Sequence, residues 1–251
     1  MTTEHMDAIG IGWDVRGWQG NAQAVAVVGW QARESRLHWL GISPLFRLSS
    51  RVAPDLDALL RPALQDEVAL MQVLACPRLA LGIDAPLAFP RALADLLAGR
   101  GSGFPVPQRE SDNPYAYRDC ERWLHQHYGK KPLSATFDRL GNNATLALSM
   151  LPRLGDLQLV PKQARAAGRA VLEVYPALAK MGGKASAVRP ELQPHLPVSL
   201  IPGTDPYDAA LCALMALQFA AEGVVTSLPA LVDLPDEMAP DEGWVYHFAR
   251  D

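Results

Sequence analysis

The chain of 251 residues carries 23 Lys+Arg against 27 Asp+Glu, a formal charge of −4, with 49% hydrophobic residues and a mean hydropathy of +0.00. That balance excludes a disordered, collagenous or fibrous chain and leaves enough sequence for a large core. Cys76, Cys120 and Cys212 are odd in number and widely spaced, which argues against a disulfide framework and a thiolate zinc site and predicts reduced, buried thiols.

The opening Met1 to Asp7 is polar and acidic, unlike a secretory leader, so a cytoplasmic protein is expected. Three short runs follow, Ala8 to Trp13, Ala24 to Trp30 and Arg36 to Leu40, rich in β-branched and aromatic residues and parted by turn-forming segments. Their spacing predicts an antiparallel meander. Pro54 to Gln72 places Leu56, Leu59, Leu60, Ala63 and Leu64 at helical spacing, and Leu79 to Ile83 is a buried strand that stops at Asp84-Ala85-Pro86.

A helical insertion is expected from about 90 to 165, containing a glycine-rich stretch, Ala98 to Pro105, that serves as a surface connection or a lid, and an amphipathic helix, Tyr115 to Leu124. Ala170 to Val174 and Val198 to Ile201 read as further strands, and Pro206 to Glu222 as a closing helix stopped by Gly223. The 13-residue run Ala209 to Ala221 is interrupted by Gln218 and is short of the ~20 residues that span a bilayer, so no membrane partner is expected. Three strands, a helix, and strands alternating with helices compose a mixed α/β sheet, in one large domain or two small ones.

Charge is uneven. Between Lys130 and Arg189 ten basic residues outnumber three acidic ones, a bias that attracts phosphate or is simply a solvated surface.

The acids are the informative feature. Asp14 ends the first strand, Asp84 ends the fourth, Glu173 sits inside the next, and Asp205 and Asp208 open the last helix. Neighbouring strand ends form the crevice in which ligands bind. Carboxylates gathered there repel one another unless a cation lies between them, and Mg²⁺ or Mn²⁺, hard ions that take oxygen ligands, suit such a set. Two ions ~4 Å apart can activate a water and stabilise the departing oxygen in phosphodiester cleavage.

Structural accounts compete. Asp205 before Pro206 has the sequence of an N-cap with Asp208 as its partner, and Asp14 equally starts the turn Asp14 to Gly17. An unpaired acid at the end of so apolar a strand as Leu79 to Ile83 costs several kcal/mol to bury, so Asp84 requires a partner or a crevice, and Glu173 raises the same question. Arg118 and Arg122, with Glu121 holding one of them, either grip phosphate or form surface ion pairs.

Familiar motifs fail. Gly10 to Val15 lacks the third glycine of a dinucleotide fingerprint, Met181 to Ser186 lacks P-loop spacing, and no Gly-x-Ser-x-Gly elbow occurs. His125 and His127, two apart on a helix, point to different faces and make a poor metal pair.

Ile11 to Asp14 with Gly17-Trp18, Gly82 to Leu87, Arg118 to Glu121, Leu172 to Pro176, Asp205 to Ala209 and Glu242 to Tyr246 resemble, in order, the signature blocks of the domain of unknown function family 429, described as nucleases of the ribonuclease H-like superfamily. The resemblance covers nearly the whole chain and so implies a single domain over 1–251. It implies a ribonuclease H-like fold and metal-dependent phosphodiester hydrolysis of DNA or RNA. Asp14, Asp84 and Asp208 would be the principal acids, Asp205 and Glu173 auxiliary ones, and Arg118, Arg122 and Glu121 would contact substrate. Ala177 stands where the family often has an acid. A non-catalytic binding module on the same fold is the alternative, and a phosphotransferase is weakened by the missing glycine-rich phosphate loops.

Overall fold

The computed structural model describes residues 5–19, 22–101, 103–130, 133–136, 140–161, 168–183 and 186–250. The expected meander is present as β1 (Ala8–Asp14), β2 (Ala24–Gln31) and β3 (Arg36–Ile42), paired antiparallel. β4 (Leu79–Ile83) runs parallel to β1, and β6 (Arg169–Val174) runs parallel to β4. β6 also pairs in parallel with β5 (Gln158–Leu159) and with β8 (Val245–Phe248), and β7 (Leu231–Val232) closes the edge antiparallel to β8. The eight strands form one mixed sheet in the order β3-β2-β1-β4-β6-β8-β7, with β5 beside β6.

Alternation along the strands assigns the two faces. Ile9, Ile11 and Trp13, Val25 and Val27, and Leu79, Leu81 and Ile83 pack with Leu59, Leu60, Leu70 and Leu146. These leucines come from α1 (Leu56–Leu60), α2 (Glu67–Ala75) and α5 (Leu140–Met150). The opposite face carries Ala8, Ala24, Ala26 and Ala80 and is covered by α6 (Asp205–Ala220). Gly10 and Gly12 share that face, and a Cβ on them would stand 2.2 Å from the Ala213 carbonyl oxygen and 2.0 Å from that of Ala209. Small residues let the α6 backbone lie directly on β1, which accounts for a helix with every residue from Tyr207 to Ala220 buried.

Several expectations are corrected. The helix over 54–72 is two short helices, because Pro62 removes an amide donor and Asp66 begins a new cap by accepting from Val68 N–H. Val198 to Ile201 is no strand: it lies between Pro197 and Pro202 with Val198 and Ile201 in solvent. The sheet position beyond β6 belongs to β8, so α6 does not close the chain. Within the insertion, α3 (Arg91–Leu97) precedes α4 (Asp119–Tyr128), which starts four residues later than Tyr115 and stops at Gly129 in the left-handed conformation. The described residues of the glycine-rich stretch adopt no regular element after Leu97, and Ser102 lies outside the described residues. All three cysteines are free and buried. Among the described residues no helix is long and apolar enough to cross a membrane.

Candidate functional site

The parity that puts Gly10 and Gly12 under α6 continues to Asp14, and on β4 the same alternation runs Ala80, Gly82, Asp84. Gly12 is level with Gly82 and Trp13 with Ile83, and the Asp84 amide donates to the Trp13 carbonyl oxygen at 3.0 Å. Asp14 and Asp84 are therefore neighbours at one end of adjacent parallel strands, on the face that α6 covers. Since Ala209 of α6 lies against Gly12 and Cys212 against Gly82, the first turn of α6 brings Asp205 and Asp208 to the same end. The Cys212 thiol registers the gathering: burial and then the charges of Asp84, Asp14 and Asp208 push it well above its ordinary range.

Two cations are built into this cluster. The Lys180 ammonium, only 3% exposed, pairs with Asp208 Oδ1 and lies 5.9 Å from the Tyr207 ring centre. Arg16 bonds Asp205 Oδ1 through Nη2, which also lies 3.6 Å from Asp14 Oδ2. Asp84 differs. Among the described residues its carboxyl takes part in no hydrogen bond or ion pair, and it lines the cleft at the strand ends with Asp14, Arg16, Asn143, Glu173 and Tyr175. Burial, and then the nearby charge of Asp208, pushes it up to about 7, against the opposing pull of Lys180 and Arg16.

Glu173 has the parity of Val171, which faces away from α6, while Leu172 and Val174 face α6. It belongs to a different arrangement. Its Oε2 and Oε1 accept from Arg118 Nη1 and Nη2 at 2.7 and 2.5 Å, and Oε2 also accepts from the Leu87 amide at 2.8 Å. Glu121 Oε1 takes Arg118 Nε and Nη2 at 3.1 and 2.9 Å, and its Oε2 takes the Arg118 amide. All three side chains are buried. Burial raises the Glu121 carboxyl against the lowering effect of Arg118. The network ties the start of α4 to β6 and to the loop after Asp84. Arg122 is engaged locally, donating to the Tyr117 carbonyl oxygen and to Asp119.

These side chains fall into two groups. Asp14, Asp84, Asp205 and Asp208 converge, whereas Arg118, Glu121 and Glu173 bind one another at the cleft wall. The capping expectation is off by one residue: Thr204 is the N-cap, Asp205 and Pro206 follow as the first helical residues, and the Asp208 amide donates to the Thr204 carbonyl oxygen. Sequence reasoning did not single out Arg16 or Lys180 as site residues. Arg16 was within reach, two residues beyond Asp14. Of the basic segment, Lys131, Arg139, Lys162, Arg165 and Lys184 lie outside the described residues. His125 and His127 are not a metal pair; His127 stacks on Trp123 at 3.8 Å between ring centres.

As a test of fit for a divalent cation, the donor set is the right chemistry, carboxylate oxygens at a cleft with one acid unpaired. Among the described residues, however, no group of three His, Cys, Asp or Glu side chains is arranged to hold a metal. The set suits an ion bound through Asp14 and Asp84 and otherwise hydrated, the mode that Mg²⁺ prefers.

The chain belongs to the family described as "Protein of unknown function (DUF429)", whose model matches residues 12–191. No curated protein and no solved structure matches it.

Proposed function

We propose that this member of the family is a metal-dependent phosphodiesterase of ribonuclease H-like architecture that acts on nucleic acid. The strand order β3-β2-β1-β4-β6, with β2 antiparallel to its neighbours and the others of that set in parallel from β1 onward, supports the architecture. The observation that carries the chemistry is Asp84: a carboxyl without an ion-pair partner among the described residues, beside Asp14 and near Asp208, at an open cleft. Keeping an acid there is costly, and a bound cation turns the cost into affinity.

Asp14 and Asp84 would hold one Mg²⁺ or Mn²⁺, which when bound polarises a phosphoryl oxygen and lowers the pKa of a water. Asp205 and Asp208 are neutralised by Arg16 and Lys180, which supports one ion rather than the two expected from the acid count. Arg16, with its side chain 34% exposed, is a phosphate contact at the rim. Lys180 holds Asp208 and adds positive charge under the cleft. Glu173 and Arg118 fix the loop that carries Asp84 through the Leu87 amide.

The test is cleavage of a panel of single-stranded and duplex DNA and RNA with Mg²⁺ or Mn²⁺, using the full chain and Asp84→Asn. Cleavage lost in the variant with its circular dichroism unchanged supports the reading. Absence of cleavage across the panel, or cleavage undiminished in Asp84→Asn, sinks it.

A further inference from the structure

Four residues beyond Asp14, Trp18 is 56% exposed, and the surrounding contacts fix it there. The indole N–H donates to Thr145 Oγ1 at 3.0 Å, and the Trp18 amide reaches Asn142 Oδ1 at 3.4 Å. Gly17, at φ +71°, lies so close to α5 that a Cβ would stand 2.1 Å from Asn142 Nδ2. Gln23 clamps the loop from the other side, accepting from Trp13 Nε1 and the Arg16 amide and donating to the Gly17 carbonyl oxygen. Asn143 Nδ2 donates to the Val15 carbonyl oxygen at 2.7 Å. A large apolar ring left in water on a segment pinned from both sides is a preorganised surface rather than a trailing side chain.

Val15, Arg16 and Asn143 line the cleft, so Trp18 adjoins lining residues on both elements that hold it. Four residues of chain put it within about 14 Å of Asp14. Leu124, Leu133, Leu140 and Tyr175 line the cleft together with its acids, a mixture that suits a ligand with flat apolar faces and a phosphate backbone. In a duplex those faces are covered by stacking and only edges and phosphates are offered. An unpaired base offers its face.

We propose that Trp18 is a stacking platform for an unpaired nucleobase, and hence that the substrate is single-stranded nucleic acid. This rests on the phosphodiesterase reading and narrows its substrate class. The experiment is fluorescence anisotropy of a labelled single-stranded 12-mer, as DNA and as RNA, and of its duplex. These probes are titrated with the full chain in an Asp84→Asn background, so that binding is read without cleavage. Trp18→Ala should weaken single-strand binding by about 5- to 150-fold, the equivalent of the ~1–3 kcal/mol that base–aromatic stacking contributes. Trp18→Phe should retain most of the affinity, and duplex binding should not change.

Equal single-strand affinity of Trp18→Ala and its parent overturns the platform while leaving the phosphodiesterase reading standing. Binding of no probe by any of the proteins removes both. Unchanged affinity with a later elution of Trp18→Ala in gel filtration would give Trp18 to a contact between copies of the chain, which also overturns the proposal. Thermal melts of each variant check the fold.

Discussion

Lys180 sets its ammonium against Asp208 Oδ1 and so places a positive charge beside the first turn of α6. A buried ion pair that loses one partner leaves an uncompensated charge costing about 3–5 kcal/mol. Lys180→Met should therefore melt earlier than the parent in EDTA and regain more of the deficit than the parent gains when Mn²⁺ is added, since a ligand that binds only the folded state stabilises it. Isothermal titration should count one Mn²⁺ per parent chain and two per Lys180→Met chain. Two ions in the parent, or no gain in the variant, refutes the assignment of Lys180 as a built-in cation.

Arg118 carries two buried carboxylates on one buried guanidinium. Arg118→Ala leaves Glu121 and Glu173 buried without their cation, so unfolding in urea should show a loss of about 3–5 kcal/mol. Arg118→Lys should recover only part of it, because an ammonium cannot reproduce the bidentate fork. A loss below about 1 kcal/mol in Arg118→Ala would show that the network is not what ties α4 to the sheet.

Gly12 and Gly103 provide a controlled pair. A methyl group at Gly12 would meet the backbone of α6 at 2.0 Å, whereas one at Gly103 meets nothing within 4 Å. Gly12→Ala should cost about 3 kcal/mol by forcing α6 from β1. That is a fall in Tm of about 6–12 °C for a chain of this size. Because Gly12 lies two residues before Asp14 on β1, Mn²⁺ affinity should fall as well. Gly103→Ala should leave both unchanged in differential scanning calorimetry and titration. Equal melting of the two variants would mean that α6 does not need the glycine stripe.

How much of this was written in the sequence depends on the range of the interaction. The strands β1, β2, β4 and β6 were legible because burial on one or both faces leaves a period or a run that only the sheet satisfies. The same alternation, Gly10, Gly12, Asp14 and Ala80, Gly82, Asp84, already encodes that the two aspartates share the small-residue face. It also encodes that Glu173 does not, since Leu172 and Val174 take the α6 side. Lys180 was not legible as a partner of Asp208: it follows the 3₁₀ turn Pro176–Ala179 and reaches α6 through a tertiary approach that no spacing records. Val198 to Ile201 misled because β-branched residues between two prolines imitate a strand, while Val245–Phe248 is too short to announce itself.

His247 is fully buried, with Nδ1 2.9 Å from the Val245 carbonyl oxygen and Nε2 3.0 Å from the Tyr128 hydroxyl. A carbonyl only accepts, so Nδ1 carries the proton and Nε2 accepts from Tyr128, which fixes the neutral ring. Burial, with help from Arg250 and Arg189 and against the Val245 hydrogen bond, lowers its pKa to about 4, while the unfolded chain titrates at about 6.5. Above pH 6.5 the ring is neutral in both states and adds no pH dependence. As the pH falls from 6.5 to 4 the unfolded chain takes up a proton that the folded chain refuses, so stability drops by up to about 3 kcal/mol and then levels off. His247→Gln removes that proton uptake. Urea denaturation between pH 7 and pH 4 should show the parent losing stability faster than His247→Gln across this window and the two curves running parallel on either side of it; equal slopes throughout would show that the buried imidazole accepts its proton as readily as a free one.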